Sequence, residues 1–214
     1  DIRRCKRLLE DITAEPVQGY RSPSFSITPA LMEILAESGF RYDSSYNSFG
    51  LNPRYGHLDL PPHSLHGIAT RLPNGLWELP VSNCQIAGRT TPLGGGGYFR
   101  LFPLALWKLG VRAILARQGA YLMYLHPWEF DPGQPVVREA AARMRFRHYL
   151  NLSRTESRLE SLVHEFRECI YLTCRDYLEG GQADRAAKAS FQVIPADQNP
   201  AALRTHHHPS HGRP

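Results

Sequence analysis

"PVQGYRSPSFSITPALMEILAESGFRYDSS", residues 16–45, decides the fold class. "PVQGY" reads as a short strand running into the loop "RSPSFS". Thr28 is placed as a helix N-cap with Pro29 at the first helical position: the threonine hydroxyl accepts an orphan amide, and proline lacks an N–H that would go unused there. "ALMEILAESG" continues the helix and Gly39 stops it, after which "FRYDSS" is a second strand. Strand, helix, strand in this order predicts parallel α/β architecture, because parallel neighbours need a crossover between them.

Working outward, "DIRRCKRLLEDI" reads as a helix with Ile2, Leu8, Leu9 and Ile12 at helical spacing. It opens abruptly, without a cap or leader, so a segment is expected upstream of Asp1. Residues 47–75, rich in Pro, Gly, Asn and His, read as a long surface excursion. "LWELPVS" (76–82) returns to strand character, and "PLGGGGYFRLFP" (92–103) is a glycine turn followed by an aromatic anchor. A helix is expected from Leu104 to about Gln118. "AYLMYL" (120–125) is then a buried strand whose last residue is followed by His126, with Pro127 fixing the exit. From Ser153 to Leu178 a second long helix is expected, opened by a capping box from Ser153 to Glu156. Its Leu159, Leu162, Phe166 and Ile170 face inward at helical spacing. Residues after Gly181 are polar and proline-rich and read as a disordered tail. No internal repeat is present. The division is thus residues 1–135, a helical extension at 136–180 and a tail at 181–214.

Of the 214 residues 42% are hydrophobic and 21% charged, ordinary for a globular chain. No stretch approaches the roughly 18 apolar residues of a membrane span, so none is expected. Cys5, Cys84, Cys169 and Cys174 form no CxxC pair and read as reduced thiols of a cytoplasmic protein. The net charge of +5 invites an anionic partner. Many of the basic residues lie in the tail and in "RMRFRHYLNLSRTESR" (143–158), however, rather than in the core segments, and in the latter acid is interleaved with base. A solvated helical face accounts for them, and no nucleic-acid partner is expected.

The glycines at 94–97 lack the GxGxxG pattern and the Lys-Ser/Thr of a phosphate cradle, and are read as a turn. His57, His63 and His66 lie in a proline-rich loop, where a three-residue spacing guarantees no shared face; they read as surface histidines. His206 to His208 in the tail are at most adventitious metal binders. His126 and Arg21 differ, because each follows a strand end, where parallel α/β proteins collect catalytic groups.

"GYRSPSFSI", "GFRYDSSYNSF", "LWELPVS", "GGGGYFRLFP", "YLHPWEFDPGQP" and "RFRHYLNLSRTESRL" follow one another in an order that resembles the polysaccharide deacetylases with a NodB homology domain, carbohydrate esterase family 4. The closest resemblance is to the branch found beside exosortase-linked exopolysaccharide clusters, and it covers roughly residues 1–179. It implies the C-terminal portion of an irregular (β/α) barrel, related to the TIM barrel, and metal-dependent removal of N-acetyl groups from amino sugars. By this resemblance His126, in the Leu125-His126 motif, is the general acid and Arg21 orients the catalytic base. The Ser24 backbone amide falls where an oxyanion donor is expected. Trp128 and Tyr98 are candidates to stack on sugar, Trp128 equally a candidate for the core, and Leu125 to line the substrate.

The family's metal, usually zinc, is held by an early Asp-containing motif and a His-Ser/Thr-x-x-His motif upstream of Arg21. Neither occurs here, and "HSLH" (63–66) is one residue too short and lies on the wrong side of Arg21. No metal ligand is therefore assigned. The expected chain is N-terminally truncated, weakly stable and inactive alone. It belongs to an exopolysaccharide deacetylase, with a carbohydrate-binding remnant without catalysis as the alternative.

Overall fold

Helix α1 (Ile2–Thr13) opens the chain. Its Ile2 packs on the first core cluster, while Leu8, Leu9 and Ile12 are exposed. The computed structural model describes residues 1–50, 55–60, 65–86 and 88–180. His63, His206 to His208 and the tail assigned to 181–214 lie outside the described residues.

The expected crossover is present. Strand β1 (Gly19–Tyr20) leads through a 3-10 turn at Pro23–Phe25 into α2 (Pro29–Glu37) and on to β2 (Tyr42–Asp43). The Thr28 hydroxyl accepts the Leu31 amide at 3.2 Å, the predicted cap. Gly39 ends α2 at φ 76°, a conformation that favours glycine. β2 lies parallel to β1, with Gly19 opposite Tyr42 and Tyr20 opposite Asp43.

The stretch at 47–75 is not simply a surface excursion. Its described part contains β3 (Leu65–His66) and β4 (Ala69–Arg71), an antiparallel pair. Ile68, Ala69, Thr70 and Leu72 are buried there. β4 pairs with β5 (Trp77–Glu78), which runs parallel to β2, giving a five-stranded sheet in the order β1-β2-β5-β4-β3. A separate antiparallel pair, β6 (Asn83–Ile86) and β7 (Arg89–Pro92), follows. The architecture is mixed α/β, and among the described residues the strands form two open sheets rather than a closed ring.

The glycine run is less a free turn than a packed start to α3 (Gly96–Leu101). A Cβ on Gly94 would lie 2.3 Å from Val81 Cγ1, and one on Gly96 would lie 2.1 Å from Glu129 Oε2. Backbone approaches this close admit only a hydrogen atom. Helix α4 (Leu104–Gln118) matches expectation. Trp107, Val111 and Ile114 recur on one face and are 0%, 1% and 3% exposed. Burying each contributes about 1.5–3 kcal/mol, so this stripe anchors the second core cluster with Leu93, Phe99 and Leu162.

The run 120–125 departs from the prediction. It is extended and half-buried, but its one strand contact is a parallel bridge from Tyr124 to Gly95. Further on, α5 (Ala142–Tyr149) has no buried residue and is the solvated basic face foreseen. The long helix expected from Ser153 to Leu178 is broken into α6 (Thr155–Glu165) and α7 (Cys174–Gly180). No side chain caps α6, so the Ser153 box does not form. Leu162 is buried, and Leu159 and Phe166 pack on the same cluster, but Ile170 is 71% exposed because the helix has ended before it.

Candidate functional site

Three parallel strands finish side by side. Arg21 follows β1, Asp43 ends β2 and Glu78 ends β5, with Asp43 and Glu78 opposite one another in register. Arg21 is fixed from the β2 side: its Nε donates to the Ser44 carbonyl at 2.7 Å and its Nη2 to Ser44 Oγ at 2.6 Å. Its guanidinium carbon also lies 5.8 Å from the Phe25 ring centroid and 5.5 Å from that of Tyr124. Held on a strand end by a carbonyl, a hydroxyl and two rings, the cation keeps one orientation.

The turn after Arg21 is strained. Ser24 has φ 55° and ψ 21°, and Phe25 has φ 56°, both in the left-handed region. Each such residue other than glycine costs about 1–2 kcal/mol. Phe25 is held there by edge contacts to Tyr55 and Tyr124 at 5.2 and 5.0 Å between ring centroids. The Gly56 amide donates to the Phe25 carbonyl at 2.9 Å.

His126 reaches the same place from the 120–125 segment. The Tyr124 amide donates to the Gly94 carbonyl at 2.8 Å, and the Tyr124 ring touches both Arg21 and His126. The imidazole stacks on Trp128 at 4.1 Å with only 10° between the ring planes. Its backbone amide donates to Glu129 Oε2 at 2.9 Å, and the Glu129 amide donates back to the His126 carbonyl at 3.0 Å. Burial lowers the His126 pKa from its ordinary value, the Glu129 charge opposes that, and the Arg21 cation adds to it. The site is a rim rather than a core: His126 is exposed, and so is Trp128 at 46%. The sequence reading of a histidine closing a buried strand is corrected accordingly, because the segment lies half-exposed beside a single bridge.

The other sequence candidates fall around this centre. Ser24 is exposed on the strained turn. Leu125 packs inward on the second core cluster. Tyr98 is half-buried, with its ring edge on Phe49 at 5.5 Å and the Arg147 guanidinium 5.9 Å away. Burial raises the pKa of both Tyr98 and Tyr124, and the nearby Tyr55 hydroxyl adds to the rise in each. Sequence reading missed Asp43, Glu78, Glu129 and Arg100. A signal existed for two of them, since Asp43 in "RYDSS" and Glu78 in "LWELP" are acids inside strand-like runs.

A cavity of about 370 Å³ lies at the starts of the same strands, lined by residues that include Gln18, Arg41, Trp77 and Arg175 and not by His126. Among the described residues no three His, Cys, Asp or Glu side chains gather in a way that could hold a metal. His57 is exposed, and the His66 backbone pairs with Ala69. These residues by themselves do not make the metal centre that the resemblance implies.

Residues 44–178, more than half of the chain, match the family described as "Domain of unknown function (DUF3473)". The chain belongs to the DUF3473 family. The matched region takes in Glu78, His126, Trp128 and all of α3 to α6, and runs continuously across position 135. Arg21 and Ser24 precede it. No curated protein and no solved structure matches the DUF3473 chain. All four of its cysteines are free thiols. Among the described residues no helix is long and apolar enough to cross a membrane.

Proposed function

We propose that this DUF3473 chain supplies the acid and orienting part of an amide-hydrolysing site that removes N-acetyl groups from the amino sugars of an exopolysaccharide. What supports the reading most is the meeting of Arg21 and His126 around Tyr124, with Trp128 stacked on the imidazole at an open rim. The DUF3473 family is also associated with polysaccharide deacetylases.

In this reading the exposed face of Trp128 receives a sugar ring, as aromatic faces do for apolar sugar surfaces. His126 gives its proton to the departing amine. Its depressed pKa makes the imidazolium a readier donor than a free histidine. Arg21 holds a fixed positive charge beside the reacting centre, and the Ser24 amide is the oxyanion donor. Barrel architecture is part of the same proposal. A divalent metal belongs to the intact reaction, but its ligands are not among the described residues, and the steps assigned here involve only this chain's own groups. The free thiols fit a reducing compartment, and the reading places the chain in the cytoplasm.

The second reading is a carbohydrate-binding chain without catalysis. It is favoured by the exposed His126–Trp128 stack together with the lack of a metal-holding cluster among the described residues. Titration with an N-acetylglucosamine tetramer, followed by NMR of the His126 ring, tests both. Saturable shifts that vanish in Trp128→Ala are expected, with no acetate released by this chain alone even when zinc is present. Equal shifts with a glucosamine tetramer, which carries no acetyl group for an amide-hydrolysing site to prefer, select the second reading, and no shift at His126 sinks both.

A further inference from the structure

Asp43 and Glu78 are both 0% exposed, and neither makes a salt bridge among the described residues. Their register pairs them directly across parallel strands, which lie about 4.8 Å apart, so both side chains leave the same face. Two carboxylates cannot both stay ionised at such a spacing away from water. The donors decide which one keeps the charge. Asp43 Oδ2 accepts the Ser45 amide and Oδ1 accepts Ser45 Oγ, each at 2.8 Å. Glu78 Oε1 accepts the Tyr46 amide at 2.9 Å, and no donor reaches Oε2. The oxygen without a donor is the natural place for a proton, and Asp43 is the carboxylate paired with Glu78 in register.

Two serines connect this pair to the rim. Ser45 gives its single hydroxyl hydrogen to Asp43, so its lone pairs are turned to the Ser22 amide, which donates to Oγ at 2.7 Å. Ser44 takes Arg21 on its carbonyl and its Oγ, and that hydroxyl donates to the Leu79 carbonyl at 2.7 Å, next to Glu78. The ends of all three strands are thereby cross-tied: β1 through Arg21 and Ser22, β2 through Ser44 and Ser45, β5 through Glu78 and Leu79.

We propose that Asp43 and Glu78 are a proton-sharing positioning pair which, through Ser44 and Ser45, holds Arg21 and the 22–25 turn in place. What Arg21 is held for rests on the proposed function; that the pair holds it does not. Burial raises both acids, Glu78 well above its ordinary value with the Asp43 charge adding to the rise, while hydrogen bonds from Glu78, Ser45 and Ser44 restrain Asp43. The groups facing Glu78 are Asp43 and the amide and phenol of Tyr46 from the β2 side, the Arg21 cation from β1, and Thr70 opposite it on β4. Loss of the shared proton sets two charges against each other and parts the strand ends that seat Arg21.

NMR of the side-chain carboxyl carbons, followed against pH together with the Arg21 Nε–H signal, tests this without any sugar present. Glu78 is expected to remain protonated at pH 7, and the Arg21 signal to be lost in step with its ionisation. Glu78→Gln, whose amide donates to Asp43 and cannot ionise, keeps the Arg21 signal in place at every pH, whereas Glu78→Leu displaces it. Should Glu78→Leu fail to fold, Ser45→Ala serves instead: hydrogen exchange at the Ser22 amide is expected to quicken about tenfold, the worth of one buried hydrogen bond. Two ionised carboxylates at pH 7 would overturn the proposal. So would equal displacement of Arg21 by Gln and Leu, or unchanged Ser22 exchange in Ser45→Ala. The oligosaccharide titration above is independent, so a failed function and a failed pair are told apart.

Discussion

Arg100 and Glu129 form an ion pair whose side chains are only 4% and 3% exposed, and the same carboxylate sets the backbone at His126. Oε1 accepts Arg100 Nε and Nη2 at 3.2 and 3.1 Å, leaving Oε2 for the His126 amide. Arg100 Nη1 meanwhile donates to the carbonyls of His148 and Leu150. Removing one partner of such a pair strands the other charge. Glu129→Ala is expected to lower stability by about 3–5 kcal/mol, measured by urea unfolding, and Glu129→Gln to cost less because it still accepts Arg100.

Two adjacent glycines separate steric need from helix propensity. Gly96→Ala places a methyl against the Glu129 carboxylate and is expected to destabilise by about 1–3 kcal/mol. At Gly97 the nearest atom to a new Cβ is Arg147 Nε at 4.0 Å, so Gly97→Ala in the same helix is expected to be neutral or to stabilise by up to about 1 kcal/mol. Thermal unfolding should show the Gly96 variant melting below the unsubstituted chain and the Gly97 variant no lower than it.

His126 should titrate below 6.5, its ordinary value, because burial and the Arg21 cation both disfavour the imidazolium. The folded state then takes up this proton less readily than the unfolded chain. The associated stability is present above pH 6.5 and is lost as pH falls through that value towards the folded midpoint. Following the ring protons by NMR, Trp128→Ala is expected to raise the midpoint most, since it opens the ring to water. Arg21→Gln is expected to raise it less, and a fall in either variant would contradict this account.

The left-handed residue at position 24 can be probed by side-chain size. Ser24→Gly adopts φ 55° without strain, whereas Ser24→Val sets a β-branched carbon against its own carbonyl. The valine variant is expected to be less stable than the glycine variant by about 1–2 kcal/mol, by chemical denaturation. Equal stabilities would mean that the turn opens at little cost.

The crossover from β1 to β2 was legible because each of its signals is local: Thr28 and Pro29 start the helix, Gly39 ends it, and the apolar runs lie on either side. Arg21 and His126 were legible as two polar residues following extended runs and belonging together, though not the Tyr124 ring that bridges them. The β3–β4 pair was hidden because prolines and histidines dominate that stretch while only Ile68 to Leu72 are buried. The break after α6 was hidden for the opposite reason: Phe166 and Ile170 keep helical spacing although the chain has left the helix. Asp43, Glu78 and Arg100 were illegible as a group. A buried charge is recognisable only from its partners, and these come from separate strands and loops.

The carbonyls around α3 are satisfied from far along the chain. Arg158 Nη2 donates to those of Phe99 and Phe102, and Asn151 Nδ2 to that of Arg100. As the polypeptide leaves the ribosome, α3 therefore emerges before the groups that satisfy these carbonyls. Helix α3, whose Arg100 reaches Glu129 beside the rim, is thus secured late, by loop closure over about fifty residues. A chain released before Arg158 would carry every residue of the rim, yet leave the Phe99 and Phe102 carbonyls without the guanidinium that donates to them.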